Sequence, residues 1–189
     1  AASLVALVKH EASFARQLRA LLRRQARNVR RHPFLIALHF VATALAALGV
    51  GAVFFDAGRD TGGIQNRMGA LFFILMYLTL MSLSSLPAWR EDRLLFLRER
   101  AAGAYGTDAY FVPTLLFDVL PMRVLPPFFF GLMTYGMIGL NEGNEYNLAT
   151  FVATLIVTNV CATCMCMAVG ACCRSVAVAN AVASLCFLV

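Results

Sequence analysis

From its amino end the chain alternates long apolar runs with short polar stretches. Residues 12–31, ASFARQLRALLRRQARNVRR, place Phe14, Leu18, Leu21 and Leu22 at helical spacing with arginines on the other face, the pattern of an amphipathic helix lying along a membrane. His32-Pro33 marks a break, because proline disfavours helix at the residue before it and is itself accommodated in a first turn. Phe34 to Phe55 runs uncharged for 22 residues, enough to cross a bilayer, with Ala46, Ala47, Gly49 and Gly51 small enough for close packing. Asp56 to Arg67, with Asp60, Gly62, Gly63 and Asn66, predicts a short polar loop. Met68 to Trp89 is a second uncharged span whose Trp89 suits the interface.

Mixed charges follow at near-helical spacing: Arg90, Glu91, Asp92, Arg93, Arg98, Glu99 and Arg100, stopping at Gly103 and Gly106. They predict a short helix outside the bilayer over about 90–103. Ala109 to Leu140 would extend about 48 Å as continuous helix, more than a hydrocarbon core of about 30 Å, so part of it lies outside or bends. Asp118, Pro121, Arg123, Pro126 and Pro127 crowd its middle, which puts the third span at about 120–140, its uncharged part from Val124 to Leu140 within lipid. Asn141 to Asn147 predicts a short acidic turn, Leu148 to Ala171 a fourth span, Arg174 a tight turn, and 175–189 the first part of a fifth span. The expected fold is all-α: a polytopic transmembrane helical bundle, 34–189, preceded by a cytoplasmic segment, 1–33, that carries the amphipathic connecting helix.

Composition agrees with lipid as the main solvent: 60% of residues are hydrophobic, 14% are charged, and the mean hydropathy is +0.73. Ala1 to Val8 is too short to span and is followed, not preceded, by basic residues, which argues against a cleaved signal. The absence of an initiator Met, together with Val189 inside an apolar run, leads us to expect a fragment.

The net charge of +6 gains meaning from its placement, since eight of the 16 basic residues lie between Lys9 and Arg31. Phe14 is the single Phe, Tyr or Trp among them, too few for a stacking surface, which argues against nucleic acid; a face apposed to anionic headgroups accounts for the same charges. Counting arginines and lysine in short loops puts 13 of the 16 on the side of the amino terminus, which is therefore expected to be cytoplasmic.

Candidate chemistry is sparse. Cys161, Cys164 and Cys166 form a C-x-x-C-x-C run, with Cys172, Cys173 and Cys186 beyond, but they lie within or beside apolar spans and read as small packing residues, so no metal site is expected. His39, alone in the first span, reads as a packing residue. Arg123 is costly in hydrocarbon, so it reaches the headgroups, pairs with Asp118, or lines a wet transport path. Lys9 is the only lysine and no glycine-rich loop precedes it, so nothing in the chain is fit to hydrolyse a nucleotide; no Ser-His-acid arrangement is recognisable, and no catalytic residue is assigned. A channel or secondary transporter is the alternative; it needs polar residues at mid-span or an inverted repeat.

Three segments carry a resemblance: GGIQNRMGALFF at 62–73, DRLLFLRERAAGAYGTDAYF at 92–111, and DVLPMRVLPPFFFGLMTYGMIGL at 118–140. In that order they resemble the ABC-2 type membrane domain of the G (White) subfamily of ABC half-transporters, and SFARQLRALLRRQARNVRRHP at 13–33 resembles its connecting helix. The resemblance implies an ATP-binding domain ahead of six spans, two such chains per exporter, identical or not, and ATP and Mg bound by that other domain rather than by this chain. It implies a coupling helix that docks on the ATP-binding domain, carried here by Asp92, Arg93, Phe96, Arg98 and Glu99. It also implies a substrate path between the second and fifth spans, lined by Phe73, Met76, Tyr77, Leu80, Leu185 and Leu188, with Arg123 a further candidate. Tyr77 and Leu80 stand where a multidrug member carries an amide and an aromatic residue, so the path reads as apolar, suited to lipids, sterols or other lipophilic cargo. The plasma membrane or an organelle membrane would hold it.

Overall fold

The computed structural model describes residues 13–31, 33–58, 60–140, 145–173 and 175–188. Expectations resting on residues 1–12, His32, residues 141–144, Arg174 and Val189 lie outside the described residues. Every regular element among the described residues is helical: α1 (Phe14–Arg31), α2 (Pro33–Val53), α3 (Thr61–Ser82), α4 (Ser85–Ala101), α5 (Thr107–Thr114), a π-helical segment (Leu115–Val124), α6 (Leu125–Ile138), α7 (Glu145–Cys172) and α8 (Val176–Leu188). Three stretches are long and apolar enough to cross a membrane: Ile36–Val53, the α3–α4 stretch Thr61–Ala101, and Tyr146–Cys172. The all-helical bundle expected from the hydrophobic runs is the fold observed.

Helix boundaries differ from the expected ones in two places. The polar stretch before the second apolar run is not all loop, because α3 begins at Thr61 behind the extended Asp60. Gly63 makes this early start possible: a Cβ there would fall 1.9 Å from the Gly58 carbonyl oxygen, so the incoming chain crosses the helix where a side chain would stand. At the far end of the same run the helix breaks at Leu83-Ser84, and the charged helix α4 begins at Ser85, before the first charge. Pro87 cannot donate to the Leu83 carbonyl, and the Ser84 and Ser85 hydroxyls turn back to the carbonyls of Met81 and Ser82 at 2.7 and 2.6 Å. The third apolar stretch bends through the π-helical segment, which holds Pro121 and ends just before Pro126 and Pro127.

α7 is the hub of the bundle, touching α3, α4, α6, α8 and the π-helical segment, while α2 runs along α6 and α1 lies against α5. Between helices in lipid the driving force is close packing rather than water exclusion, so small residues decide the approach. A Cβ on Gly51 of α2 would sit 2.6 Å from Met137 Sδ of α6, and one on Gly131 of α6 would sit 3.1 Å from Val152 of α7. The main core gathers Ala47, Ala70, Ile74, Leu78, Phe130, Ile138 and Leu155. The outer surface is itself apolar: Leu45 and Phe72 are each more than 60% exposed, as expected where lipid replaces water.

At the end of the bundle away from α1, the chain after α2 folds onto the end of α6. The Asp56 and Ala57 amides donate to the carbonyls of Met137 and Ile138, and Gly139 closes α6 in the left-handed region at φ +67. Arg67 of α3 completes this closure by donating to the Ala57 carbonyl from Nε and Nη2 (3.1 and 2.8 Å) and to the Gly139 carbonyl from Nη2 (3.1 Å). One side chain thus joins three elements at that end.

Candidate functional site

The charged helix α4 lies at the arginine-rich end of the bundle and is braced at its middle and near its carboxyl end. At and just before its middle, Arg93 Nη1 donates to the Ala171 carbonyl at 3.1 Å and Arg90 Nη1 to the Cys173 carbonyl at 3.4 Å. Both cations therefore meet the negative end of the α7 dipole and its unsatisfied carbonyls. Near its finish, Arg24 of α1 donates 2.9 Å bonds to both Glu99 carboxylate oxygens, and the Tyr105 hydroxyl donates to Glu99 Oε2 at 2.5 Å. Gly103, at φ +73, then ends the helix, with the Ala104 amide reaching back to the Glu99 carbonyl.

An aromatic stack backs this polar knot. Phe96 lies 4.6 Å from the Tyr110 ring, Tyr105 stacks on Tyr110 at 6.0 Å, and Leu21 of α1 is buried against the group. Gln17 of α1 accepts the Gly106 amide at 3.1 Å, so the connecting helix grips the turn after α4 as well as its last charged residue. Partial burial pushes the Glu99 carboxyl up, and the hydrogen bonds from Tyr105 and Arg24, with the arginine's charge, outweigh it and hold it below the usual carboxylate range. Burial and the adjacent carboxylate push the Tyr105 phenol well above its ordinary value, so it remains a donor.

Of the five coupling candidates, Glu99 and Phe96 face inward into this knot, Arg93 reaches α7, Asp92 is half-buried, and Arg98 is exposed. The outward side of α4 also carries Leu94, Leu95 and Leu97, each exposed by 43 to 50%. Residues that hold the helix and residues that present a surface are thus divided between its faces.

The path candidates are less concentrated. Phe73, Leu185 and Leu188 are exposed, at 54, 63 and 62%, whereas Met76 and Leu80 are half-buried. Tyr77 turns inward and stacks on Phe130 at 5.4 Å. Arg123 is 5% exposed and sits in the π-helical segment among packed helices. The single chain therefore does not enclose the seven residues in one cavity. A cavity of about 370 Å³ lies elsewhere, between α2 and α6, lined by apolar groups such as Phe40, Val41, Phe129 and Met133.

A buried polar junction escaped the sequence reading. Asn159 of α7 donates from Nδ2 to the Arg123 carbonyl at 2.9 Å and accepts the Ser82 hydroxyl at 3.0 Å, while Thr163 donates to the Asn159 carbonyl at 2.8 Å. These residues are separated by 36 or more positions from their partners in α3 and the π-helical segment, and the only sequence signal was an amide in an apolar run. Among the described residues no cluster of three His, Cys, Asp or Glu side chains is placed to hold a metal ion. Cys166 is buried between α4 and α8, while Cys161 and Cys164 are exposed on the surface of α7.

Comparison with known proteins accounts for this arrangement. Residues 16–189 match the family described as "ABC-2 type transporter". The chain is 36% identical over 178 residues to ABC transporter G family member 24 of Dictyostelium discoideum, an alignment covering 94% of this chain and 15% of that protein. It is 34% identical to the Broad substrate specificity ATP-binding cassette transporter ABCG2 of Sus scrofa, covering 87% of this chain and 25% of that protein. It is 35% identical to the Probable ATP-dependent permease of Saccharomyces cerevisiae, over 70% of this chain and 13% of that protein. The chain belongs to the ABC-2 type transporter family, as the multi-pass membrane part of an ABC-G type transporter. It spans at most about a quarter of the length of these relatives.

Proposed function

We propose that this chain forms the translocation path of an exporter for lipophilic or amphipathic molecules, such as lipids, sterols or xenobiotics, and takes its energy from ATP hydrolysed on a separate domain. The observation that carries the reading is the bracing of α4. A short helix fixed to α7 through Arg93 and to α1 through Glu99 moves as a body with both, so displacement imposed on its outward face is passed to the bundle rather than absorbed. In this reading Asp92, Arg98 and the exposed leucines meet the ATP-binding domain, while Arg93, Phe96 and Glu99 carry the movement inward. In this reading the amino terminus and α4 are on the cytoplasmic side, which the clustering of basic residues supports.

The surface positions of Phe73, Leu185 and Leu188 fit a path completed by a second half-transporter, identical or not, in which Met76, Tyr77 and Leu80 line the deeper wall and Arg123 tunes entry. ATP and Mg belong to the ATP-binding domain. The test is uptake of a fluorescent lipid or sterol probe into inside-out vesicles. Expressed with an ABC-type ATP-binding domain, in one chain or two, the protein accumulates probe only with ATP; expressed alone it does not. Uptake by the chain alone, or uptake indifferent to ATP, would overturn the proposal.

A further inference from the structure

Three prolines, Pro121, Pro126 and Pro127, remove backbone donors from the bent third apolar stretch. In continuous α-helix the amide at 127 would serve the carbonyl at 123; Pro127 has no such hydrogen, and the Arg123 carbonyl instead receives Asn159 Nδ2 at 2.9 Å. The same amide accepts the Ser82 hydroxyl at 3.0 Å through Oδ1, and Ser82 is the last residue of α3, where the chain breaks into α4. The Ser85 hydroxyl bonds the Ser82 carbonyl at 2.6 Å, and Thr163 bonds the Asn159 backbone. Ser82, Asn159, Thr163 and Arg123 are each at most 5% exposed, so no water competes for these bonds.

We infer that Asn159 is a positioning residue, a side-chain replacement for the donor that Pro127 deletes, which locks the proline bend of the third stretch to the foot of α4. The planar amide holds an N–H donor and an oxygen acceptor in fixed relation, so it joins the two breaks directly. Movement of α4 then reaches the bend, and with it Arg123, through one junction. Its place in the transport cycle rests on the function proposed above; the clamp itself does not.

Two measurements separate these. In the chain held in lipid nanodiscs, Asn159→Leu, which keeps the γ-branch at a larger volume and removes both bonds, lowers the thermal midpoint by several degrees, and Pro127→Ala, by restoring a backbone N–H, recovers at least half of that loss while giving little in the unsubstituted background. Asn159→Asp, which keeps an acceptor for Ser82 but cannot donate, behaves as the leucine variant does. If Pro127→Ala adds the same increment in both backgrounds, Asn159 is only packed there and the inference is wrong. In the complex with its ATP-binding domain, Asn159→Leu lowers probe transported per ATP hydrolysed about tenfold with ATPase turnover retained, and Pro127→Ala restores the ratio. A clamp upheld in nanodiscs with an unchanged ratio refutes the coupling role alone, and absence of ATP-driven transport in the unsubstituted complex refutes the proposed function and leaves the clamp standing.

Discussion

The two ends of the bundle are held together in different ways. At the end away from α1, Arg67 donates to two backbone carbonyls, Ala57 and Gly139, and ties together segments that already bond one another through their amides. At the other end, Arg24 meets a carboxylate that also accepts from Tyr105, while Arg90 and Arg93 reach the open carbonyls of α7 across a charged helix. The first arrangement is made of main chain and leaves little to rearrange. The second is made of side chains, whose partners can be exchanged without unwinding a helix. On the function proposed above, the end that stays closed is held in part by amide-to-carbonyl bonds between its segments, and the end that passes movement on is held through side chains.

The difference can be broken most severely at the closed end. Arg67→Ala leaves two carbonyls without their donor and is expected to cost about 2–4 kcal/mol, read as a loss of thermal stability in nanodiscs and of folded yield. A loss below that of any α4 variant would show the main-chain closure to be self-sufficient. Glu99→Gln at the other end is expected to cost about 1 kcal/mol of stability, because the pair with Arg24 is partly solvated and the Tyr105 bond survives in weaker form. Its larger effect should fall on coupling, measured as transport per ATP hydrolysed.

A pH titration gives the smallest contrast. The Glu99 carboxyl lies below its usual range in the folded chain, so its contribution is present above the unfolded carboxylate value of about 4.3 and is lost as pH falls through the lower folded value. Unfolding midpoints taken from pH 6 down to pH 3 should therefore converge between the unsubstituted chain and Glu99→Gln, while the gap produced by Arg67→Ala, whose partners are carbonyls, stays constant. A constant gap for Glu99→Gln would show that its carboxylate does not stabilise the fold through its charge.

Much of the architecture was legible beforehand because span length and helical periodicity are local properties. The apolar runs at Phe34–Phe55 and Leu148–Ala171 correspond to α2 and α7, and the alternating charges with Gly103 marked α4 and its end. The early start of α3 was hidden, since glycines that read as loop served a close chain crossing. The family resemblance supplies the coupling candidates as a group, but which of them brace α4 and which face outward depends on α1 and α7, distant in sequence.

By itself, then, the sequence determined an all-helical membrane bundle with an arginine-rich end, because hydrophobic length and charge placement act without knowledge of neighbours. Only the tertiary structure decided that Glu99 faces Arg24, that Arg67 closes the other end, and that Asn159 supplies the donor Pro127 lacks. Those choices follow from buried polar groups having to find partners, and the partners lie on other helices.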